Sequence, residues 1–182
     1  INSKTKVIMP VHLYGSVVDV IKIKKIIRDR NIFIIDDCSQ AHGAFIGQKR
    51  VGSLADISCF SLYPGKNLGA YGDAGILTTN NFKFYKKLKN FRNLGSTVKF
   101  SHTQVGFNSR LDTIQASILI EKIKLLDHYN KKRRDIANYY NENISNKKIT
   151  KLNYSNGSVY HQYVILISNK KKLINMFIKN NI

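Results

Sequence analysis

The chain has 182 residues, with 30 Lys and Arg against 11 Asp and Glu, a formal net charge of +19. Its 43% apolar and 10% aromatic content is enough for a real core and excludes wholesale disorder. No run reaches the ~18 apolar residues of a membrane helix, and two cysteines, Cys38 and Cys59, are too few for a disulfide scaffold. A reduced, cytoplasmic setting is therefore expected. The start lacks an initiator Met and a signal-peptide core, and the end falls inside an apolar-periodic segment. Both observations lead us to expect a piece of a longer protein.

In chain order, residues 6–11 (KVIMPV) read as a buried strand, followed by a loop at residues 12–16. Residues 17–30 carry Val20, Ile21, Ile23, Ile26 and Ile27 at helical spacing. Residues 32–35 (IFII) are a short apolar run that stops abruptly at Asp36 and Asp37. Strand, helix and strand in this order, with short continuous apolar strands, predict a parallel α/β sheet. Polar residues at the C-terminal end of such a strand stand where α/β proteins place ligands.

Residues 56–61 (DISCFS) read as another strand, and a glycine-dense stretch follows at residues 64–75. A strand at 76–79 and a helix at 81–92 come next, then a loop from 95 to 109. Residues 111–140 read as a long helical region broken near Asp127 and His128. Residues 160–168 (YHQYVILIS) read as a strand, and a helix begins at Lys170. The fresh strand after the long helices predicts entry into a second, smaller domain. No internal repeat or low-complexity linker is present.

The residues with chemistry cluster at the predicted strand ends. Asp37 ends one strand, with Gln40 and His42 just beyond, and Ser61 ends another. Lys66 follows within a glycine-flanked segment, where Gly65 and Gly69 permit close approach of backbone to a ligand. A carboxylate, a hydroxyl and a lysine so placed suit a phosphorylated aromatic aldehyde. The acid would hold the ring nitrogen protonated, the hydroxyl would donate to phosphate, and the lysine would form a Schiff base. Lysine suits this role because desolvation readily shifts its amine.

Blander readings stand beside these. Asp36 and Asp37 could cap a helix. Asp37, Cys38 and His42 could be metal ligands, although no second cluster of zinc spacing accompanies them. The residues around Lys66 do not satisfy the phosphate-loop pattern. His12, His102, His128 and His161 read as polar loop or structural histidines, and both cysteines as small apolar residues. The charge also permits a basic nucleic-acid-binding module. Yet its basic runs, at residues 22–25, 86–89, 131–134 and 170–172, are scattered along the chain, and most fall in amphipathic segments.

Four blocks in order resemble the DegT/StrS family of pyridoxal-phosphate-dependent nucleotide-sugar aminotransferases. They are residues 10–15 (PVHLYG), 36–44 (DDCSQAHGA), 60–69 (FSLYPGKNLG) and 106–116 (GFNSRLDTIQA). The similarity runs from about residue 5 to about residue 168. It implies the aspartate-aminotransferase fold, a three-layer α/β architecture with a mostly parallel sheet. Residues 1–127 would be the C-terminal part of the large cofactor-binding domain, and residues 128–182 the start of a small α/β domain. The family's chains are about double this length, so part of the site would lie outside these residues.

Residue by residue, the resemblance makes Lys66 the Schiff-base lysine, which also moves the proton between the substrate carbon and the cofactor's C4′. Asp37 is the partner of the pyridinium nitrogen, Gln40 the neighbour of the phenolic oxygen, and Ser61 a phosphate-binding hydroxyl. Asn108 is an asparagine that reaches a partner subunit's cofactor phosphate, which implies a homodimer. No role is assigned to Tyr63 or His12. Some relatives carry histidine at the lysine position and dehydrate sugars; Lys66 argues against that branch. Asp36 stands where the family usually has Glu, and Leu62 where Phe is common.

The implied cofactor is pyridoxal 5′-phosphate, with no metal. The implied reaction moves an amino group from glutamate or glutamine to a nucleotide-linked keto-sugar, for surface glycan synthesis. Residues 92–100 (RNLGSTVKF) resemble members acting on dTDP-3-keto-6-deoxyhexoses. Neither nucleic acid nor membrane is an expected partner. A non-catalytic relative that keeps the fold remains an alternative.

Overall fold

The computed structural model describes all 182 residues. Strands β1 (Val7–Ile8), β2 (Phe33–Asp37), β5 (Ile57–Ser61) and β6 (Gly75–Thr78) form a sheet in the order β1-β2-β5-β6. Two short strands, β3 (Phe45–Ile46) and β4 (Lys49–Arg50), form a separate hairpin between β2 and β5. The first three strands of the main sheet are parallel, and β6 is antiparallel to β5. The expected mostly parallel sheet is present, with its one reversed strand at the edge.

Helix α1 (Val20–Ile27) connects β1 to β2 as the parallel pairing requires. Asp19 begins it: its carboxylate accepts the Lys22 amide hydrogen at 2.9 Å, satisfying one orphan donor of the first turn. Val20 and Ile27, two turns apart on one face, are buried against Ile34, Leu54 and Ala55. Lys22, Lys24 and Lys25 occupy the exposed positions of the same helix. Helix α2 (Phe82–Phe91) follows β6 and is capped by the Asn81 side chain.

The segment read as loop at residues 95–109 contains a small hairpin, β7 (Ser96–Val98) with β8 (Ser101–His102). The long helical region is two helices, α3 (Thr113–Ile123) and α4 (Leu126–Asn143). They break at Lys124 and Leu125, three residues before the expected break. The boundary drawn between residues 127 and 128 falls in the first turn of α4. The four basic runs lie on four helices: α1, α2, α4 and α5 (Lys170–Lys179).

After α4 comes a two-stranded antiparallel sheet, β9 (Ile149–Lys151) with β10 (Ile165–Ile167), apart from the main sheet. The strand expected over 160–168 is shorter than its apolar pattern. Tyr160 takes φ +44°, which no strand tolerates, and only residues 165–167 pair. None of the five α-helices is long and apolar enough to cross a membrane.

Candidate active site

Alternation along β2 and β5 divides the candidate residues between two faces. The register pairs Asp36 with Ser58 and Asp37 with Cys59. Asp37, Cys59 and Ser61 therefore share one face, at the C-terminal ends of two adjacent parallel strands. Asp36 and Ser58 share the other face and are fully buried. Two consecutive aspartates thus have different environments because the strand period is two.

Asp37 is held from both sides. Its backbone N–H donates to Pro10 O at 2.9 Å, and its carbonyl accepts from His12 N at 3.0 Å. Its carboxylate Oδ1 accepts the Ser39 amide hydrogen at 3.0 Å. Oδ2 has no partner within the chain and is free to accept a proton-bearing ring nitrogen. Neither aspartate caps a helix.

Gln40 is oriented by a strained neighbour. Tyr14 stands at φ +59°, and its N–H donates to Gln40 Oε1. With Oε1 occupied, the Gln40 NH2 is left as the outward group, a donor suited to an anionic oxygen. Ser61 Oγ is only weakly engaged, 3.4 Å from the Tyr63 amide. Its carbonyl accepts the His42 Nε2 hydrogen at 2.8 Å, which fixes the His42 tautomer with Nδ1 unprotonated. Burial pushes the His42 imidazole down to about 4, with the nearby Lys66 charge acting in the same direction.

Lys66 is half-buried in the loop that leaves β5. The loop begins and ends at one place: Ala70 N donates to Leu62 O at 2.7 Å, and Leu62 N donates to Ala74 O at 2.8 Å. Lys66 N donates to Tyr63 O at 2.9 Å, closing a turn inside it. The two glycines here differ in what they do. A Cβ at Gly69 would stand 2.5 Å from Pro64 O and 2.7 Å from Tyr63 O, so Gly69 is needed for the loop to close on itself. A Cβ at Gly65 would meet only Tyr63 Cδ1, at 3.9 Å.

Asn108 stands apart from this group. It is exposed, bridged to Asn93, and makes no hydrogen bond to Asp37, Gln40, Ser61 or Lys66. A mainly apolar cavity of about 340 Å³ also lies elsewhere, between His42, Arg50, Phe60, Leu68 and Leu126. It includes none of Asp37, Ser61 and Lys66.

Two features carried no signal in the sequence. The first is a buried set behind Asp37: ligand-capable atoms of His12, Asp36 and Cys38 lie within 4.8 Å of one another. His12 Nδ1 accepts the Val18 amide hydrogen at 3.0 Å, so Nε2 carries the imidazole proton. A protonated Nε2 has no lone pair with which to ligate a metal. The alternative set, Asp37 with Cys38 and His42, is not assembled. His42 is committed to Ser61, and Cys38 packs in the core with Val17, Ala41 and Val159, its thiol pushed far up by burial and by Asp36. The second feature joins His161 to Asn67, the residue after Lys66, through a 3.0 Å hydrogen bond.

These residues fit pyridoxal phosphate on their own chemistry. An open carboxylate oxygen and an uncommitted hydroxyl stand at the ends of two adjacent parallel strands, and a free amide NH2 and a lysine lie in the loops that leave them. Each matches one polar feature of that molecule.

The family profile described as the DegT/DnrJ/EryC1/StrS aminotransferase family matches residues 1–182. The chain is 44% identical over 173 residues to a dTDP-3-amino-3,6-dideoxy-α-D-galactopyranose transaminase of Aneurinibacillus thermoaerophilus, covering 94% of this chain and 48% of the relative. It is 40% identical over 170 residues to a UDP-N-acetyl-3-dehydro-α-D-glucosamine 3-aminotransferase of Acidithiobacillus ferrooxidans, covering 92% and 46%. Among solved structures, Streptomyces venezuelae DesV in complex with a ketimine intermediate superposes with a TM-score of 0.93 at 32% identity, covering 99% of this chain and 49% of that one. The chain spans about half the length of the curated relatives it matches.

Proposed function

Because the chain belongs to the DegT/DnrJ/EryC1/StrS aminotransferase family, we propose that it forms the lysine-bearing part of a pyridoxal 5′-phosphate-dependent nucleotide-sugar aminotransferase. The observation that supports this reading is the placement of Asp37 and Ser61 on one face at the adjacent ends of β2 and β5, with Lys66 in the loop that leaves β5. Residues 1–127 are read as part of the large cofactor domain and residues 128–182 as the start of the small one.

When bound, the cofactor supplies an electron sink for the carbon that carries the amino group. This chain's residues do the rest. The Lys66 amine would hold the cofactor's aldehyde carbon and would be the group that carries a proton to and from the substrate carbon. Asp37 Oδ2 would hold a proton on the ring nitrogen by its negative charge. The Gln40 amide donates to the phenolic oxygen, and the Ser61 hydroxyl donates to phosphate. Asn108, being exposed, serves a partner subunit's phosphate, so the active form is a homodimer. An active monomer in light scattering of the full-length protein would overturn that assignment.

The acceptor is a dTDP-linked 3-keto-6-deoxyhexose and the donor glutamate or glutamine. The 44% identical relative is a dTDP-3-amino-sugar transaminase, which supports the nucleotide and the position aminated. The test is turnover by the full-length protein of matched 3-keto and 4-keto sugar nucleotides with each donor. Amination of the 3-keto sugar is expected; turnover of the 4-keto sugar alone would contradict the reading.

A further inference from the structure

The hydrogen bonds around Asn67 fix every proton in a chain of side chains that ends beside Lys66. Asn67 Nδ2 uses both hydrogens, donating to Asn130 Oδ1 at 3.0 Å and to Val159 O at 3.2 Å. Its Oδ1 can then only accept, so His161 Nδ1, 3.0 Å away, carries the imidazole hydrogen. Asn130 lies on α4 and is 1% exposed; its own Nδ2 donates to His42 O at 2.8 Å. His42 Nε2 in turn donates to Ser61 O. Three side chains from three parts of the sequence thus form one directional relay, from His161 through Asn67 and Asn130 to the His42 main-chain carbonyl, and the His42 ring separately reaches the end of β5.

The backbone makes room for this relay. A Cβ on Gly43, which has φ +79°, would stand 2.7 Å from Asn130 Nδ2. The segment carrying His161 is also fixed to the turn that orients Gln40. Val159 N donates to Gly15 O at 3.0 Å, and Gln162 N donates to Tyr14 O at 3.3 Å. A Cβ at Gly15 would lie 2.8 Å from His161 N. One short segment therefore holds both the Gln40 side and the Lys66 side of the site. Burial first, then the charges of Lys66 and Arg133, keeps His161 below its ordinary value, which favours the single-proton tautomer the bonding requires.

We propose that His161 is a positioning residue for Lys66: its Nδ1–H locks the Asn67 amide, and the locked amide sets the aim of the adjacent lysine. The proposal rests on Lys66 being the cofactor lysine. It assigns His161 a role through Nδ1 and none through Nε2.

The test compares two substitutions in the full-length protein. His161→Asn keeps an N–H donor near the Nδ1 position. His161→Gln places its amide near Nε2 and leaves Asn67 Oδ1 without a donor. The readout is the rate at which the visible absorption band grows when pyridoxal phosphate is added to cofactor-free protein. His161→Gln is expected to slow that growth on the order of tenfold to a hundredfold, with His161→Asn recovering most of it. Capture as fast as wild type by His161→Gln, or equal impairment of both variants, overturns the proposal. Nitrogen-15 histidine spectra of the wild-type protein give a second check that needs no variant. A proton on His161 Nδ1 supports the relay, and a proton on Nε2 overturns it. Absence of the band in wild-type protein would instead mean that the Lys66 reading itself fails.

Discussion

His12 and Asp36 are buried against each other with neither side chain exposed, His12 Nε2 lying 3.5 Å from Asp36 Oδ2. Val18 donates to the other ring nitrogen, so Nε2 carries the ring hydrogen. No hydrogen bond forms at this separation, and Nε2 and both carboxylate oxygens are buried without a hydrogen-bond partner. The pair lies directly behind the Asp37 backbone, which His12 N holds. Asp36→Ala removes the carboxylate that His12 Nε2 faces in the core and is expected to cost about 1–3 kcal/mol in urea unfolding. A double-mutant cycle with His12→Ala should show a coupling of ~1 kcal/mol or more. Additive losses would show that the two residues act independently.

His42 makes stability depend on pH in a definite direction. Its folded value is lowered from 6.5 to about 4, so between these values the unfolded chain binds a proton that the folded chain refuses. Unfolding free energy therefore rises with pH across this window, and the stabilisation is lost as pH falls from above 6.5 toward 4. The loss from this one group is roughly 3 kcal/mol at most. His161 is lowered too and adds to the same slope. Urea midpoints for wild type and His42→Gln at pH 7 and pH 5 check this. The variant should show a shallower pH dependence, and an unchanged slope would contradict it.

The two glycines flanking Lys66 should respond oppositely to alanine. Gly69→Ala drives a Cβ into two backbone carbonyl oxygens that cannot swing aside. It is expected to cost about 1–3 kcal/mol and to displace the lysine loop. Gly65→Ala meets nothing closer than 3.9 Å and should be neutral or stabilising by roughly 0.4–1 kcal/mol, because it restricts the unfolded chain. Thermal melts of the two variants distinguish these outcomes; equal losses would mean the loop is not closed as described.

Most of what positions the site was legible because it is local. The run at residues 32–35 stops at Asp36 and Asp37, which marks a buried strand and its functional end together. The spacing of Val20, Ile23 and Ile27 marks α1, and Asn81 marks the start of α2. The hairpins at Phe45–Arg50 and Ser96–His102 were not legible, since strands of two or three residues have no period to detect. The apolar run at residues 160–168 overstated its strand, because Tyr154, Tyr160 and Tyr163 pack on one another instead of alternating across a sheet. The relay was invisible for a different reason. His161 lies 94 residues from Asn67, and Asn130 lies 63 from it; only the folded chain brings them together. Within helix α4, Asn130 reads as one more polar residue, yet it is among the most buried side chains.

The central claim is that the Lys66 amine holds the cofactor. The direct measurement is borohydride reduction of full-length protein loaded with pyridoxal phosphate, followed by peptide mass analysis. The account predicts a phosphopyridoxyl mass on Lys66, absent in Lys66→Ala together with the visible band. The label on another lysine, or a visible band retained by Lys66→Ala, would contradict it.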